Sequence, residues 1–600
     1  MTRDDCAGNL ARVRSWLGEQ GLDGLIVPRT DAHQSEVTAP HDNCLEYISG
    51  FTGSAGMALV LPDRALIFVD GRYQVQVRQE VDPALFAVHH LYDDPLDLWL
   101  RDNAKPDWRV GVDAMRVAGG TFDALALACT AAGGELVAIT DDPFDALWND
   151  RPEKPVGRIR AMPVSVAGET SASKRARISE RLQAAGADML VETLPDNIAW
   201  LLNVRGSDVA MNPVPHSFLI VGQDGQVEWF VDRRKLGNDL APFELADVMM
   251  AEPEHFLDRV AQASTNRTVQ IDPDFTPFAV RDRIEASGGK PAARTSPITL
   301  AKAAKNATEL TGYRDCHVED GIALTNFLAW LDSEWRARRA QDLPLTELEA
   351  EEKLIAFRAE RPGYLEPSFR AISAAGANAA MCHYNAQPET NTALSADSPY
   401  LIDSGGQYAN GTTDATRTLI FGEASAEMRD AYTAVLKGFL SLSMARFPTG
   451  TQGHQLDAFA RRALWDIGLD YDHGTGHSVG HNLLIHEYPH RFAKKPNLHG
   501  LEPGNVMTIE PGYYETGAFG IRIENQVEVV ADRPGFCRFS SMTLAPIDLE
   551  MARLKLLSRD EIAFLDAYHA EVRAVLMDRV LPQARPYLLA HTRSVAERLI

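Results

Sequence analysis

Six hundred residues with a formal net charge of -24 are too many for one hydrophobic core, and too acidic for a binder of nucleic acid or anionic membrane, which needs a basic face. The 45% hydrophobic and 24% charged fractions are those of an ordinary folded chain, and no run approaches the ~20 apolar residues of a membrane span. Met-Thr-Arg-Asp-Asp-Cys at the start lacks a secretory pattern, and Cys6, Cys44, Cys129, Cys316, Cys382 and Cys537 form no C-x2-4-C pair, which together predict a cytoplasmic protein with free thiols.

In chain order, residues 12–27 read as an amphipathic helix (Val13, Trp16, Leu17) that leads through Gly21 into a strand at Leu25-Ile26-Val27, the opening of an α/β unit. At an offset of 165, Arg12, Leu17, Gly21, Asp23 and Leu25 match Arg177, Leu182, Gly186, Asp188 and Leu190. Phe68-Val69-Asp70 and Phe230-Val231-Asp232, like Gly53-Ser54 and Gly206-Ser207, match at slightly smaller offsets. The pattern predicts two copies of one domain. The proline-rich linker Arg151–Pro155, with Pro163 beyond it, puts the first boundary near 160. Gly288-Gly289-Lys290-Pro291 is a second break, but a strand predicted at Ile298-Thr299-Leu300 moves that boundary to about 305. Leu324, Phe327, Leu328 and Leu331 then mark the core face of a long helix. The third domain, 306–600, mixes amphipathic helices with antiparallel hairpin signals, an α+β pattern.

The chemistry concentrates between Tyr400 and Glu528, where acids lie in apolar, strand-like sequence; buried acids are normally paired or bound to metal. Two familiar motifs there are set aside. His486-Glu487-Tyr488-Pro489-His490 matches H-E-x-x-H, but Pro489 breaks the helix that would put both histidines on one face. Gly476-His477-Ser478-Val479-Gly480 matches G-x-S-x-G, but Tyr471-Asp472-His473-Gly474 is not the apolar strand a nucleophile elbow requires. A hairpin centred on Gly517 would face Glu510 with Glu524. Along the second strand Arg522, Glu524, Gln526 and Glu528 share one face, either a site or a solvated outer surface. Pairing Asp403 with Asp414 needs a tip at Tyr408-Ala409, whereas the stronger turn signal, Asn410-Gly411, sets Asp403 opposite Thr418. A bulge at Gly405-Gly406 would reconcile them. Four carboxylates balance two divalent cations, and one neutral imidazole adds a ligand without changing that balance. Such an oxygen-dominated set favours Mn2+ or a similar ion, with Zn2+ and Co2+ as alternatives, and hydrolytic chemistry.

These residues resemble the aminopeptidase P, or Xaa-Pro aminopeptidase, family of pita-bread metallopeptidases. The resemblance spans nearly the whole chain, in the form with two creatinase-like α/β domains ahead of an α+β pita-bread catalytic domain. Besides the catalytic fragments, it is carried by Asp31-Ala32-His33-Gln34-Ser35-Glu36, Gly50–Gly56, Asp70-Gly71-Arg72-Tyr73, Arg205–Val209 and His383-Tyr384. It implies that Asp403 binds one metal, that Asp414 and Glu524 bridge two, and that His477 and Glu510 complete the set. It further implies that His383 and His486 lie on the substrate side beside His473, and that Arg72 contacts substrate from the first domain. The implied reaction is attack by a metal-bridging hydroxide on the bond before a proline in second position, with Glu510 handling the proton and the histidines stabilising the oxyanion. The resemblance also suggests a homodimer. A prolidase-like Xaa-Pro dipeptidase and a noncatalytic peptide-binding relative are the rival readings. Ser478, His481, Tyr488 and Val37-Thr38 depart from the usual residues around the site.

Overall fold

In the computed structural model, which describes residues 3–238 and 240–599, Leu10, Val13 and Leu17 bury one face of helix α1 (Arg3–Gln20). Gly21, at φ +61°, ends that helix in the left-handed conformation that glycine adopts without strain. The chain divides into two units, Met1–Lys302 and Ala303–Ile600. In the first unit, strands β1 (Gly24–Pro28), β2 (Met57–Val60), β3 (Ala65–Val69), β4 (Phe86–His90), β5 (Arg109–Asp113) and β6 (Glu135–Ile139) form a sheet of order β4-β3-β2-β1-β5-β6. Helix α2 (Ser171–Ala185) then opens a second such sheet. Its strands are β7 (Met189–Glu192), β8 (Phe218–Gly222), β9 (Val227–Phe230), β10 (Met249–Ala251), β11 (Thr268–Ile271) and β12 (Lys290–Ala293), in order β10-β9-β8-β7-β11-β12.

The two sheets repeat one topology and one register. Leu25 faces Val60 as Leu190 faces Val221, and Met57 faces Phe68 as Phe218 faces Phe230. The residues matched in sequence are those with a backbone task. Gly186 ends α2 in the left-handed conformation as Gly21 ends α1. The Asp23 carboxylate accepts the Arg109 N–H at 2.8 Å, and that of Asp188 accepts the Thr268 N–H at 2.7 Å, tying the first and fifth strands of each copy. Ile298-Thr299-Leu300 does not form the predicted strand but lies in a helix, Pro297–Ala303. Three apolar residues carry no period of their own, and the proline before them suits a first helical position.

The second unit opens on α3 (Ala307–Arg339), started by a capping box in which Asn306 and Glu309 satisfy each other's backbone N–H groups. Leu324, Phe327, Leu328 and Leu331 are buried as their spacing predicts. Next come α4 (Glu347–Ala359), strands β13 (Tyr364–Pro367), β14 (Ile372–Ala375), β15 (Tyr400–Ser404), β16 (Gly406–Tyr408), β17 (Gly411–Thr412) and β18 (Ala415–Leu419), and helix α5 (Ala426–Ser443). After β19 (Arg446–Pro448) and α6 (Gly453–Trp465) follow β20 (Gly476–Ser478), β21 (Glu487–Phe492), β22 (Val506–Ile509), β23 (Gly512–Glu515), β24 (Phe519–Arg522), β25 (Asn525–Ala531), β26 (Phe536–Ser541) and α7 (Arg559–Leu576). The largest sheet has the order β19-β26-β25-β22-β20-β21, and β14-β15-β18 and β13-β16-β17 are smaller sheets beside it. One core joins α5, α6 and α7 to the apolar faces of β22 and β25. All six cysteines are buried free thiols. No helix among the described residues is long and apolar enough to cross a membrane.

Arg417, 1% exposed, fastens β18 to the large sheet. Its guanidinium donates to the carbonyls of Thr416, Glu524, Ala545 and Pro546, to Asn525 Oδ1 and to the Tyr568 hydroxyl. These neutral acceptors solvate a cation that has left water, and losing it would strand them. Arg417→Met should therefore lower the melting temperature by roughly 5 °C or more, at about 1–3 kcal/mol for each stranded group. A shift within about 1 °C would show the staple to be dispensable.

Candidate metal centre

Two strand pairs in one continuous register set the first pair of acids. Ile509 faces Asn525 between β22 and β25, and Gly512 faces Arg522 between β23 and β24. The same register places Glu510 opposite Glu524, and Gly517 sits at the turn with φ +77°, as the sequence predicts. The polar face of this strand is not solvated: Arg522, Glu524, Gln526 and Glu528 are 2%, 1%, 0% and 6% exposed. That removes the outer-surface reading.

The second pair needs a correction. Asp403 faces Thr416, neither Asp414 nor Thr418, and the register runs unbroken from Tyr400–Leu419 to Tyr408–Gly411. The turn is Ala409-Asn410, and no bulge interrupts it at Gly405. Tertiary contacts decide its position over the local Asn-Gly preference. The Ala409 N–H donates to Gly363 O at 2.8 Å, His481 Nε2 lies 2.9 Å from Asn410 O, and Gly411 is pressed against Cys316. Gly405 is required where it stands, since a Cβ there would come 1.8 Å from Thr413 O. Asp414, two residues from Thr416, shares a face with Asp403 as a diagonal neighbour, so the acids converge without being opposite.

Thr416 and Thr418 then join the two pairs. The Thr416 carbonyl accepts the Glu524 N–H at 3.2 Å, its hydroxyl donates to Glu524 Oε2 at 2.7 Å, and the Thr418 hydroxyl donates to Arg522 O at 2.8 Å. One ligand atom from each of Asp414, His477 and Glu524 lies within 4.8 Å of the others. His477 Nε2 is 3.5 Å from Asp414 Oδ2 and 3.6 Å from Glu510 Oε1. His477 Nδ1 lies 2.9 Å from Ser478 O, a contact that puts the ring proton there and leaves Nε2 as a donor atom for metal. Asp403 Oδ2 receives Arg522 Nη2 at 2.5 Å, while its Oδ1 is buried with no hydrogen-bond partner.

Burial first, and then Asp403, pushes Asp414 well above the usual carboxylate range. Burial followed by Asp414, Asp403 and Glu510 does the same to Glu524. Burial lifts Glu510 to about 7 against the opposing pull of His477 and Arg522. Four acids around one arginine are an incomplete charge set. An orphaned carboxylate oxygen, an imidazole nitrogen turned inward and acids held near one another fit divalent cations. Asp403, Asp414 and Glu524 form the buried side of this cluster, whereas Glu510, His383, His473, His477 and His486 are half-buried on its open side.

The His486 ring stands edge-on to His477, with centroids 4.4 Å apart, and the His383 ring lies nearly parallel to His486 at 6.4 Å. His473 is attached differently: its Nε2 is 2.9 Å from the Tyr514 hydroxyl, which Arg522 also contacts. Arg461, at the buried face of α6, donates to the carbonyls of Tyr471 and His473 and so holds that loop. The rejected motifs behave as their sequences require. Pro489 lies in strand β21, not a helix, and Ser478 is buried with its hydroxyl toward Met507 Sδ at 3.3 Å. Of the departures from the usual residues, His481 supports the Asn410 turn, and the Tyr488 hydroxyl lies 3.3 Å from His499 Nε2.

Sequence reasoning missed Glu347. This fully buried carboxylate, in the first turn of α4, accepts from Ala375 N at 2.6 Å, Asn378 Nδ2 at 3.1 Å, the Tyr384 hydroxyl at 3.0 Å and Thr392 N at 2.9 Å. It thereby gathers the loop that carries His383. Nothing in the sequence marks it, because an acid in a first helical turn is ordinarily explained by the helix dipole, and only its burial in the structure sets it apart. Arg72, in the first unit, donates to Asp70 and, at 3.0 Å, to Glu36. The Asp70 pairing recurs in the second copy as Arg234 on Asp232. The contact with Glu36, the Tyr73 ring under the guanidinium at 5.2 Å and the lower exposure, 21% against 73% for the two arginine side chains, set Arg72 apart.

Comparison with known proteins places the chain in context. Residues 312–531 match the model of metallopeptidase family M24, and 535–595 match the C-terminal region of that peptidase. Residues 9–145 and 150–309 each match a creatinase/prolidase N-terminal domain. Aminopeptidase P1 of Arabidopsis thaliana is 35% identical over 94% of this chain and 96% of its own length. Xaa-Pro aminopeptidase 1 of Dictyostelium discoideum is 35% identical over 95% of this chain and 92% of its own. The crystal structure of an X-prolyl aminopeptidase from Caenorhabditis elegans, described as a cytosolic enzyme with a dinuclear active site, superposes with a TM-score of 0.93 at 32% identity, covering 98% and 99% of the two chains.

Two outcomes follow from the geometry. Glu347→Gln replaces an acceptor oxygen with a donor facing other donors, and should lower kcat about 10-fold with metal content unchanged; an unaltered kcat would show that the His383 loop holds without it. The Glu510 carboxyl is raised from 4.5 to about 7 in the folded chain, so the stability it contributes is full below pH 4.5 and is lost as pH rises through 7. In chelator-treated protein the melting temperature of wild type, relative to Glu510→Gln, should fall between pH 5 and pH 8. A difference that stays flat across that range would contradict the shift.

Proposed function

The chain belongs to metallopeptidase family M24, with two creatinase/prolidase N-terminal domains ahead of the catalytic one, and on that premise we propose how it acts as an Xaa-Pro aminopeptidase. It removes the first residue from peptides whose second residue is proline. The observation that carries this reading is the convergence of buried Asp403, Asp414 and Glu524 with half-buried His477 and Glu510, in a chain matched over nearly its whole length by enzymes named for that activity.

On this reading those five side chains hold two divalent ions, which when bound supply a nucleophilic water at neutral pH and polarise the scissile carbonyl. The oxygen-rich donor set favours Mn2+. Arg522 fixes the carboxylate plane of Asp403 and balances part of the acid charge. Glu510, half-buried on the open side of the cluster, accepts a proton and passes it on. His486 and His383, side by side beyond His477, donate to the carbonyl oxygen as charge develops there and return a proton to the leaving proline nitrogen. His473, hydrogen-bonded to Tyr514, lines the same pocket. Proline has no N–H to recognise, so the pocket selects its ring by shape.

The sequence boundaries give domains over 1–160, 161–305 and 306–600 on this reading. Arg72 is proposed to bind substrate; its rigid pairing with Asp70 and Glu36 supports a preset orientation. A homodimer rests on the family resemblance. A cytoplasmic location is supported by six buried free thiols and by the cytosolic description of the Caenorhabditis elegans relative.

The test is release of the first residue from an Xaa-Pro-Xaa tripeptide by Mn2+-loaded protein. Asp414→Ala should reduce kcat by about 1,000-fold or more and His486→Ala by about 100-fold, while Arg72→Ala should mainly raise KM. Intact tripeptide after incubation with the loaded wild type would refute the activity, and cleavage of Xaa-Pro dipeptides alone would turn the reading to a prolidase-like dipeptidase.

A further inference from the structure

Within the first unit the geometry points to a separate single-ion site, in which Asp31, Asp42 and His216 hold one divalent cation of zinc-like character. Asp31 lies in the loop after β1, Asp42 at the end of the short turn Pro40–Asp42, and His216 two residues before β8. The two acids therefore come from the first copy of the repeated domain and the imidazole from the second. One carboxylate oxygen from each acid and one ring nitrogen of His216 lie within 4.8 Å of one another.

The pattern of unmet polar atoms argues for an occupant. Asp31 is 1% exposed; its Oδ1 accepts the N–H groups of His33 at 2.8 Å and Ser35 at 3.0 Å, while its Oδ2 has no hydrogen-bond partner. His216, 8% exposed, leaves Nε2 unpartnered as well. The two bare atoms face each other at 3.6 Å. That is long for a hydrogen bond, but two donors about 2.0–2.1 Å from one tetrahedral ion stand roughly 3.4 Å apart. Two buried polar atoms without partners each cost about 1–3 kcal/mol, which a shared ion removes.

The surrounding charge favours a cation. Arg116 contacts Asp42 Oδ1 at 2.7 Å, Asp142 at 3.2 Å and Asp113 at 3.4 Å, and Arg151 contacts Asp142 at 2.8 Å. With Asp145, which Arg151 also contacts at 2.7 Å, and with Arg29 and its neighbour Glu46, three arginines face Asp31, Asp42, Glu46, Asp113, Asp142 and Asp145. Lys235, also nearby, is paired with Asp208 at 2.6 Å. His33 supplies no charge, because burial pushes it down to about 3. Its ring stacks on Phe218 and lies 4.6 Å from the His216 ring, steadying that imidazole. With two carboxylates and one imidazole, the donors suit Zn2+ or Co2+ and leave a position for water. Such an ion would cross-link the two copies of the repeat.

The test uses the full chain with the catalytic pair removed by Asp414→Asn and Glu524→Gln. Titrated with Co2+, this protein should bind one equivalent with the visible absorption of a tetrahedral site. His216→Phe, a ring that suits the contact with His33, and Asp31→Asn, which keeps Oδ1 for the turn, should each weaken that binding at least about 10-fold. Should the double variant fail to fold, the count is taken on otherwise wild-type protein, where His216→Phe should lower bound metal from three equivalents to two with tripeptide cleavage retained. A double variant that folds without binding Co2+, or binding unaffected by His216→Phe, would overturn the site and leave the gap between Asp31 and His216 to water.

Discussion

The catalytic unit depends on keeping four carboxylates within reach of one another in a place that water largely does not enter. Like charges so arranged repel, and burial alone raises their proton affinity. Arg522 answers part of that charge through Asp403. The rest is answered by protonation or by cations, and the fold is built so that the acids cannot simply move apart. The Glu510 and Glu524 strands are locked by hairpin register, β18 is laced to them through Thr416 and Thr418, and Arg417 fastens the junction with a cage of neutral acceptors. Asp403 and His477 sit within strands, Asp414, Glu510 and Glu524 occupy the two-residue breaks where one strand passes to the next, and the half-buried histidines beside them are held by adjoining segments.

How much of this was legible depended on whether local or distant residues decide each feature. The Glu510–Glu524 register was readable because Gly517 makes a turn whose centre fixes the pairing. The Asp403–Asp414 register was not. Its turn is set by Gly363, His481 and Cys316, far apart in sequence, and these override the Asn-Gly signal. The same reason hides Glu347, whose importance comes from Ala375, Asn378, Tyr384 and Thr392 donating to it. Ile298-Thr299-Leu300 has a strand-like composition but folds as a helix, and three residues are too few to show a period. The choice between a solvated face and a site along Arg522–Glu528 also needed burial, which alternation does not supply.

The repeated domain shows the opposite case. Gly21 and Gly186 end equivalent helices, and Asp23 and Asp188 bind equivalent strand N–H groups. Their tasks are imposed by the backbone, so these identities are readable in sequence and recur in structure. Asp70 with Arg72 and Asp232 with Arg234 are a further inherited pair. What distinguishes the copies is what each has added to the common frame: Glu36 against Arg72 in one, and His216 turned toward Asp31 in the other. The charge argument at the catalytic cluster and at His216 is the same, since buried atoms able to bind a cation have been left without protein partners in both places.

The central claim, that the acid cluster is built around two cations, is tested most directly by anomalous diffraction from crystals of the Mn2+-loaded protein. The account predicts two peaks about 3.5–4 Å apart, with Asp403, Asp414, His477, Glu510 and Glu524 in contact with one or both. A single peak among these residues, or none, in protein that still cleaves an Xaa-Pro-Xaa peptide would contradict it.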